Sequence, residues 1–419
     1  MKMKHFLIAF AAIIAVMLSA CSSDEPGPVQ EEEIPDPAFT DLNLSEAEGR
    51  ANAGLETFNM QFFQAAVAAN PGKNIAVSPL GASMMLSMIS QAADNELRSQ
   101  ILGVLGSNSL DAINTLNRRY MDVLPTLDQS VTMTLANGLW YSDRYTLSPE
   151  YHRLLTEVYD AETRSGDFIG NPQGVADDIN FWVDEQSRGM IPKIIYDAQN
   201  LQSLYSVLVN ASYINGAWAV PFDPEDTETA VFHGEKGDRE VSMMYMHEVL
   251  NRHSGDTYEH ESNWKRVTMY LGDGKYAVSF VLPKEGFTID DIIAEGAFNV
   301  PIHGGAMKIK VYLPRIDFKG NELALNSIFA DMGVNGLGEL RPASIFTETV
   351  NAEHHIYQQS AVRFFEEGAE ASSVTYDVWA SSSGVWYPDP VYRFDEPFLF
   401  MINETSTGAA ILWGCIRDL

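Results

Sequence analysis

Apolar residues recur at helical spacing in the first third of the chain. Two segments place them three or four positions apart, as on one face of a helix: Leu55, Phe58, Phe62 and Ala66, and then Leu97, Ile101 and Leu105. The breakers Asn70-Pro71-Gly72 and Gly106 follow these segments and end the two predicted helices. Helices therefore dominate the N-terminal third.

Further along the chain the apolar pattern changes to strand spacing. Residues 131–136 alternate between apolar and polar, as in a half-buried strand. Residues 276–282 and 397–402 are more continuously apolar, as buried strands are. The second of these leads through a polar turn into the apolar segment 409–413, which predicts a buried hairpin. Helices early and strands late predict an α+β fold.

The length and net charge of the chain limit the number of domains and the classes of partner. A chain of 419 residues could hold two or three average domains, but no repeat and no second linker follows residue 43. We therefore predict one domain over residues 44–419. The net charge of −30 repels nucleic acid and heparin-type glycans, and no Lys/Arg run opposes it. Neither class of partner is expected.

The N-terminus has the pattern of an export signal. Lys2 and Lys4 precede an apolar stretch from Phe6 to Leu18, which is too short for a membrane span. The small residues before Cys21 resemble the lipobox of bacterial lipoproteins, in which the cysteine is lipidated. This interpretation makes residues 1–20 a lipoprotein signal peptide. The alternative is a plain signal peptide followed by a chance cysteine.

Residues 21–43 form a predicted tether. They are polar, acidic and rich in proline, so they cannot bury enough apolar surface to fold. The acidic start resembles the tethers of surface-exposed lipoproteins in some Gram-negative bacteria. We expect an exported protein that is held on the outer membrane by lipid on Cys21 and is exposed at the cell surface. The other cysteine, Cys415, lies in an apolar strand and is expected to be an inert thiol without a disulfide partner.

A segment near the C-terminus has an unusual pattern. Glu366-Glu367-Gly368 reads as a turn, and the small residues that follow it alternate with larger or polar ones. One face of a strand would carry Ala369, Ala371, Ser373 and Thr375. The small, flexible residues 380–384 come next. This pattern is typical of a loop that is cut and then inserted into a sheet as a strand.

Several segments, in order along the chain, are similar to those of the serpin family. They are Asn74-Ile75-Ala76-Val77-Ser78-Pro79-Leu80, residues 179–183 with 187–191, residues 208–218 with Pro221-Phe222, residues 241–244, residues 313–315, residues 395–414 and the hinge that begins at Glu366. The resemblance implies the serpin fold: helices packed on a large central β-sheet, two further sheets and an exposed reactive-centre loop at about 366–393.

The resemblance also implies a function. Serpins trap serine, and in some cases cysteine, endopeptidases as 1:1 covalent complexes, by inserting the cleaved loop into the central sheet. A monomeric inhibitor without a cofactor or metal is expected, rather than an enzyme. The alternative within the family is a non-inhibitory serpin that acts as a binding or scaffold protein at the cell surface.

The family register places the reactive bond seventeen residues from Glu366, between Ser382 and Ser383. A shift to Ala380 or Ser381 is an alternative, and bonds as far as Val385 stay open. Small residues at the cut suit elastase-like or subtilisin-like proteases. A cut after Trp379 or Trp386 would instead suit a chymotrypsin-like pocket.

Four residues correspond to the family's cluster that controls opening of the central sheet: Ser78, Asn210, Gln358 and Trp218. Two positions depart from the family pattern. Gly81 replaces a second serine, and Gln358 replaces a histidine. Because a glutamine amide both donates and accepts, the cluster is expected to persist in altered form.

The chain contains no complete copy of the enzyme motifs that some of its segments partly match. His247-Glu248 is followed by Asn251, where a zinc protease needs its second histidine. Gly272-Asp273-Gly274-Lys275 is too short for a phosphate loop and predicts a hairpin turn. No serine lies in a Gly-x-Ser-x-Gly motif.

Overall fold

The computed structural model describes residues 42–250, 255–259, 263–296, 298–300, 307–320, 323–337, 345–348, 354–368 and 389–419. The helices within these ranges are α1 Glu46–Ala68, α2 Pro79–Ala92, α3 Asn95–Val104, α4 Leu110–Val123, α5 Pro149–Tyr159, α6 Pro172–Gln186, α7 Ile289–Glu295 and α8 Leu325–Asp331. Short 3-10 helices span Leu124–Thr126, Ala198–Ser203 and Pro224–Asp226. The predicted signal peptide, the lipidation residue Cys21 and nearly all of the tether lie outside the described residues.

Strands fill most of the remaining chain. They are β1 Ile75–Val77, β2 Val131–Ser142, β3 Glu162–Gly166, β4 Ser206–Gly216, β5 Glu228–Gly234, β6 Gly237–Leu250, β7 Gly255–Glu259, β8 Trp264–Leu271, β9 Tyr276–Pro283, β10 Met307–Pro314, β11 Ile316–Lys319, β12 Leu323–Ala324, β13 His354–Gln358, β14 Ala361–Phe364, β15 Val391–Arg393, β16 Phe398–Glu404 and β17 Ala410–Ile416.

Capping and burial explain the early helices. Ser45 and Glu48 form a capping box at the start of α1, satisfying backbone N–H groups that the first turn leaves unpaired. Pro79 stands at the start of α2, where its missing N–H costs nothing. The apolar faces predicted for the first two helices lie in α1 and α3, which confirms both.

The strands form three large sheets. A five-stranded sheet has the order β12-β13-β4-β2-β3, a six-stranded sheet the order β1-β17-β16-β9-β8-β7, and a four-stranded sheet the order β15-β10-β6-β5. The predicted C-terminal hairpin is the antiparallel pair β16 and β17. The turn at 272–275 joins β8 to β9, as its sequence predicts. The arrangement that the resemblance implies, with helices early in the chain, one large sheet and two further sheets, is observed.

The strand β4 is central in the five-stranded sheet and is covered on both faces. Leu208 faces the main hydrophobic core. Val207 and Val209 face a second apolar cluster under α6. In that cluster the rings of Trp140 and Trp182 lie 5.1 Å apart in an edge-to-face arrangement. Alternate residues of β4 therefore point into different apolar layers.

The six-stranded sheet joins distant parts of the chain. β1 pairs antiparallel with β17. The side chain of Asn74 accepts hydrogen bonds from the backbone N–H groups of Arg417 and Asp418, at 2.7 and 3.0 Å. Cys415 is fully buried in β17, and burial raises the pKa of its thiol to about 12. The thiol is therefore neutral and inert, as the sequence indicates.

Candidate functional site

The chain leaves β14 at a turn that is held by an ion pair. The Arg315 guanidinium contacts the Glu366 carboxylate, with the closest N···O distance 2.7 Å. The hydroxyl of Thr227 donates to the same carboxylate at 2.5 Å. The Glu366 side chain is 6% exposed and that of Arg315 is 43% exposed. Burial alone would raise the pKa of Glu366, but the bonds from Arg315 and Thr227 outweigh it and lower that pKa.

Backbone contacts fix the same turn against the end of β4. Trp218 N donates to Glu367 O at 3.3 Å, and Phe222 N donates to Glu366 O at 2.9 Å. Gly368 forms an isolated antiparallel bridge with Ala217. A Cβ on Gly368, whose φ is +98°, would lie 2.5–2.6 Å from backbone atoms of residues 216–218. Only glycine permits this close approach.

Trp218 is the packing centre of this region. Its indole N–H donates to Phe365 O at 2.8 Å. Its ring lies 5.8 Å from that of Phe364 and 6.2 Å from that of Phe280, measured between centroids. Trp218 thus belongs with the hinge turn. The sequence groups Trp218 with Ser78, Asn210 and Gln358; in the structure Trp218 follows the C-terminal end of β4, whereas Asn210 lies in the middle of that strand.

The other three residues of that group lie together. Gln358 holds the backbone of Ser78 with both ends of its amide. Its Oε1 accepts from Ser78 N, and its Nε2 donates to Ser78 O, each at 2.9 Å. Both side chains are 1% exposed. This pair ties β13 to the start of α2 beneath the sheet.

Asn210 extends the network across the sheet. Its Nδ2 donates to Asn137 Oδ1 at 3.0 Å, and its Oδ1 accepts from Ser212 Oγ at 3.1 Å. The hydroxyls of Ser212 and Ser78 are 3.3 Å apart. A Cβ on Gly81 would lie 2.0 Å from Asn210 Oδ1. The missing side chain at 81 therefore makes room for Asn210, and Ser212 supplies a hydroxyl beside Ser78.

On the N-terminal side of Asn210, β4 pairs in parallel with β13. On its C-terminal side, towards Gly216, the two strands separate. The pairing runs from Ser206 with His354 to Asn210 with Gln358. Two residues separate the end of β13 from the start of β14, which pairs with β11. Among the described residues no strand pairs with 211–216 of β4 on this side.

A cavity of about 460 Å³ occupies the gap between the upper half of β4 and β14. Its walls include Tyr213, Asn215 and Gly216 from β4, and Ala361 and Arg363 from β14. The cavity opens beneath the hinge turn, since Trp218 and Phe365 also line it. An extended chain that continued from Gly368 would enter this gap.

The far end of the loop is anchored differently. β15 pairs in parallel with β10 at the edge of the four-stranded sheet. His247 Nε2 on β6 lies 2.7 Å from Asp389 Oδ2, just before β15. The two ends of the loop are therefore attached to two different sheets.

Several predicted residues cannot be placed. The hinge residues Ala369, Ala371, Ser373 and Thr375, and the reactive-bond candidates Ala380, Ser381, Ser382 and Ser383, lie outside the described residues. Within the described part of the chain, no cluster of three or more His, Cys, Asp or Glu residues could hold a metal ion. The helices of that part include none long and apolar enough to cross a membrane.

Sequence reasoning missed three partners in this region: Arg315 and Thr227 at the hinge, and Ser212 beside Ser78. Arg315 lies 51 positions from Glu366. No local pattern links the two residues, although Arg315 ends one of the segments that resemble the family. Ser212 lies on the same face of β4 as Asn210, so the period of two could have identified it.

Comparisons with known proteins agree with this geometry. The family profile described as Serpin (serine protease inhibitor) matches residues 53–419. Serpin-Z10 of Arabidopsis thaliana is 27% identical over 373 residues, which cover 83% of this chain and 92% of that protein. The thermophilic serpin tengpin in its native state has a TM-score of 0.76 at 21% identity, covering 90% of this chain and 95% of that one. Thyroxine-binding globulin in complex with thyroxine has a TM-score of 0.74 at 22% identity, covering 88% and 98%. This chain belongs to the serpin family.

Proposed function

We propose that this protein inhibits serine endopeptidases as a suicide substrate, forming a 1:1 covalent complex as a monomer. The observation that carries the proposal is the edge of β4 beyond Asn210, next to the hinge turn, with which no strand of the described part of the chain pairs. The catalytic serine of the protease attacks the reactive bond. The peptide bond breaks, its C-terminal side leaves as an amine, and an ester joins the protease to the N-terminal part of the loop. Insertion of the cut loop beside β4 then carries the attached protease away before the acyl bond is hydrolysed.

The bridge between Ala217 and Gly368 sets the register of insertion. Continued antiparallel from that bridge, residues 369–379 match the eleven residues of β4, Ser206–Gly216. Ala371 then lies opposite Ile214, and Thr375 lies opposite Asn210. These positions face the main core, where small side chains fit. The small residues of the hinge therefore match the face of β4 that they would join.

The balance of free energies favours insertion of the whole cut loop segment beside β4. A new central strand adds on the order of ten backbone hydrogen bonds, each contributing roughly 0.5–1.5 kcal/mol net. Against this gain, the register places Asp377 opposite Leu208, in an apolar layer. A buried carboxyl without partners costs roughly 1–3 kcal/mol. The gain is larger, so this position weakens insertion without preventing it.

The same register supports a cut at Ser382–Ser383. Residues 380–382 extend just beyond the N-terminal end of β4, so the acyl bond would come to lie outside the sheet. A cut after Trp379 would end the inserted strand opposite Ser206, the first residue of β4. Small residues at Ser382 and Ser383 favour elastase-like or subtilisin-like targets.

The location is also part of the proposal. We propose that lipid on Cys21 anchors the protein to the outer membrane, where it protects the cell surface from foreign proteases. Radiolabelled palmitate should enter the wild-type protein but not Cys21→Ala. Externally added protease should reach the protein on intact cells. Retention of label by Cys21→Ala, or full protection from added protease, would contradict the anchor or the surface exposure, respectively.

A binding role is the second candidate. The fold also serves binding, since one structural neighbour holds thyroxine, and the cavity beside β4 offers an internal space in this chain. In a protein with this role the loop would be cleaved without trapping the protease.

One experiment separates the two candidates. The mature chain, with Cys21→Ser, is mixed with an elastase-type, a subtilisin-type and a chymotrypsin-type protease and analysed on a denaturing gel. We expect an SDS-stable band at the summed mass, and a released fragment that begins at or next to Ser383. Ala369→Arg should convert the inhibitor into a substrate, and Ser382→Pro should impair the cut. Clean cleavage by all three proteases, with no band and no gain in thermal stability, would favour the binding role.

A further inference from the structure

The cavity beside β4 has an apolar floor and a polar rim. The floor lies in the main core, where three neighbouring strands of the six-stranded sheet supply Val278, Ile402 and Leu412. These side chains are 0%, 3% and 4% exposed, respectively. The rim includes Arg188, which is exposed, and Tyr213, which is partly buried. A molecule that filled the cavity would therefore place an apolar body inside and a polar end outside.

Arg188 is held at the rim by the turn that ends α6. Its backbone N–H donates to Glu185 O at 3.1 Å, and Gly189 N donates to Asp184 O at 2.8 Å. In this common type of helix end, the position of Arg188 is usually a glycine, because the backbone there is left-handed. Arg188 has a φ of +51°, which strains a residue that has a side chain. A strained arginine where glycine fits better indicates a role for its side chain.

The Arg188 guanidinium has no partner of opposite charge in the ranges that the structure describes. Its contact is with the ring of Tyr213, whose centroid lies 5.9 Å from the guanidinium carbon. Asp and Glu outnumber Lys and Arg by 57 to 27 in this chain, so carboxylates are abundant on its surface. Arg363 on the opposite wall has found one, because its Nε donates to Asp317 Oδ1 at 2.8 Å. The donors of Arg188 therefore remain for a ligand.

We propose that the cavity beside β4 binds a monocarboxylate with an apolar chain, a ligand of the fatty-acid class. The carboxylate would lie on Arg188, since a guanidinium forms two parallel charge-assisted hydrogen bonds with it. The apolar chain would lie on Val278, Ile402 and Leu412, where it is removed from water. A volume of about 460 Å³ is in the usual range for small-molecule sites, roughly 300–1,000 Å³.

Charge limits the head group of this ligand. The net charge of −30 repels anions, and the repulsion grows with the charge of the ligand. A single carboxylate is repelled least and is neutralised by one guanidinium. A phosphate would need a further cation at the rim, and Arg363 is already paired with Asp317. A monocarboxylate is therefore favoured over a phosphate ester.

This ligand would compete with the loop for the same space. The proposal rests on the inhibitory function proposed above and adds a regulator to it. A strand that continued from Gly368 would enter the cavity between Tyr213 of β4 and Ala361 of β14. While the ligand is bound, the cut loop cannot insert there, so water hydrolyses the ester between the loop and the protease. The products are a free carboxyl group on the loop and an active protease with its serine restored.

The test uses four forms of the mature chain, all with Cys21→Ser, and three ligands. The forms are the chain without further change, Arg188→Gln, Arg188→Lys and, as the matched control, Arg144→Gln. Arg144 is also exposed and also lies over a tyrosine ring, 5.4 Å from the centroid of Tyr145, but it does not line the cavity. The ligands are decanoate, decanol and butyrate. Calorimetric titration measures binding, and the second-order rate of SDS-stable complex formation is measured with each of the three proteases named above, with and without decanoate.

We expect one decanoate per chain, bound about tenfold more weakly by Arg188→Gln and with unchanged affinity by Arg144→Gln. Arg188→Lys should lie in between, because it keeps the charge but not the two parallel bonds. Decanol lacks the charge and butyrate lacks most of the apolar chain, so both should bind more weakly than decanoate. Decanoate at about ten times its dissociation constant should slow complex formation about tenfold, because about one chain in ten stays free of ligand. The proteases alone should keep full activity with decanoate.

Equal affinities of Arg188→Gln and Arg144→Gln for decanoate would overturn the site while leaving inhibition intact. Equal binding of decanoate to the native chain and to the cleaved, thermally stabilised chain would place the ligand outside the gap, which also overturns the proposal. Unchanged trapping at saturating decanoate would overturn the competition with the loop. If no protease is trapped even without decanoate, inhibition itself fails, and binding that still depends on Arg188 would support the site in a binding protein.

Discussion

The guanidinium of Arg315 lies 2.7 Å from the carboxylate of Glu366, where the chain leaves β14, although 51 positions separate the two residues. This ion pair and the bond from Thr227 hold the start of the loop. Because Arg315 is partly exposed, water can reach the pair when it opens.

Replacing Glu366 by Gln should loosen the hinge. The amide keeps the shape of the side chain but loses the charge-assisted bonds to Arg315. We expect a loss of roughly 1–2 kcal/mol in the free energy of unfolding, measured by denaturant titration. Glu367→Gln is the matched control, because Glu367 is exposed. Equal losses in the two variants would mean that the ion pair contributes nothing specific.

The same carboxyl predicts a dependence of stability on pH. The pKa of Glu366 is below its ordinary value of 4.5 in the folded protein, so the folded state favours the charged form. Its contribution to stability is complete above about pH 4.5 and is lost as pH falls through the folded pKa. The difference in melting temperature between wild type and Glu366→Gln should therefore shrink below that pH. A difference that stays constant from pH 3 to 7 would contradict this linkage.

Gln358→Ala should destabilise the closed sheet. The N–H of Ser78 would lose its partner in a buried position, whereas its C=O would keep the bond from Ala82 N. An unpaired buried N–H costs roughly 1–3 kcal/mol, so a loss within that range is expected. Gln358→Glu should lose less, because it still accepts from Ser78 N. Thermal unfolding of the three proteins at neutral pH gives their order of stability. A Gln358→Ala variant more stable than wild type would contradict a stabilising contact between Gln358 and the Ser78 backbone.

Gly81→Ala tests the space that Asn210 uses. Alanine is favoured over glycine within a helix by about 1 kcal/mol, but its Cβ would lie 2.0 Å from Asn210 Oδ1. Crowding of this kind costs typically 1–3 kcal/mol, so the variant should be less stable than wild type. In an Asn210→Ala background the same substitution should become neutral or stabilising. A double-mutant cycle without this change of sign would exclude the steric coupling.

Asp377→Ala tests the register proposed for the inserted loop. In the cleaved protein, the carboxyl opposite Leu208 would favour its neutral form, because burial raises the pKa of an unpaired acid. The cleaved wild type should then gain stability as pH falls from 7 towards 5, and cleaved Asp377→Ala should not. Melting temperatures of the two cleaved proteins give the result. Parallel pH profiles would place Asp377 outside the apolar layer.

The sequence predicted those helices, strands and turns whose pattern lies within one short segment. Helix α1, the pair β16 and β17, and the turn at 272–275 each follow from apolar spacing and turn residues within one segment. The serpin fold and the hinge turn required segments that resemble those of a family. These segments gave the order of the elements and predicted that Gln358 lies beside Ser78.

Contacts between distant segments could not be predicted in the same way. Arg315 and Glu366 meet because the antiparallel pairing of β11 with β14 brings the residue before β11 close to the residues that follow β14. Trp218 was misplaced because membership of a motif does not say which end of β4 a side chain occupies. The cavity beside β4 is a gap between strands, and a gap has no sequence pattern of its own.

The pairing of β1 with β17 has a consequence for how the protein is made. Asn74 and Arg417, which join the two segments, are 343 positions apart. A growing chain that has not yet reached residue 410 has no partner for β1 on this side of the six-stranded sheet. We expect the six-stranded sheet to gain its β1 edge only after residues 410–416 have been synthesised, so the first and last strands of this sheet order late in the folding of the chain.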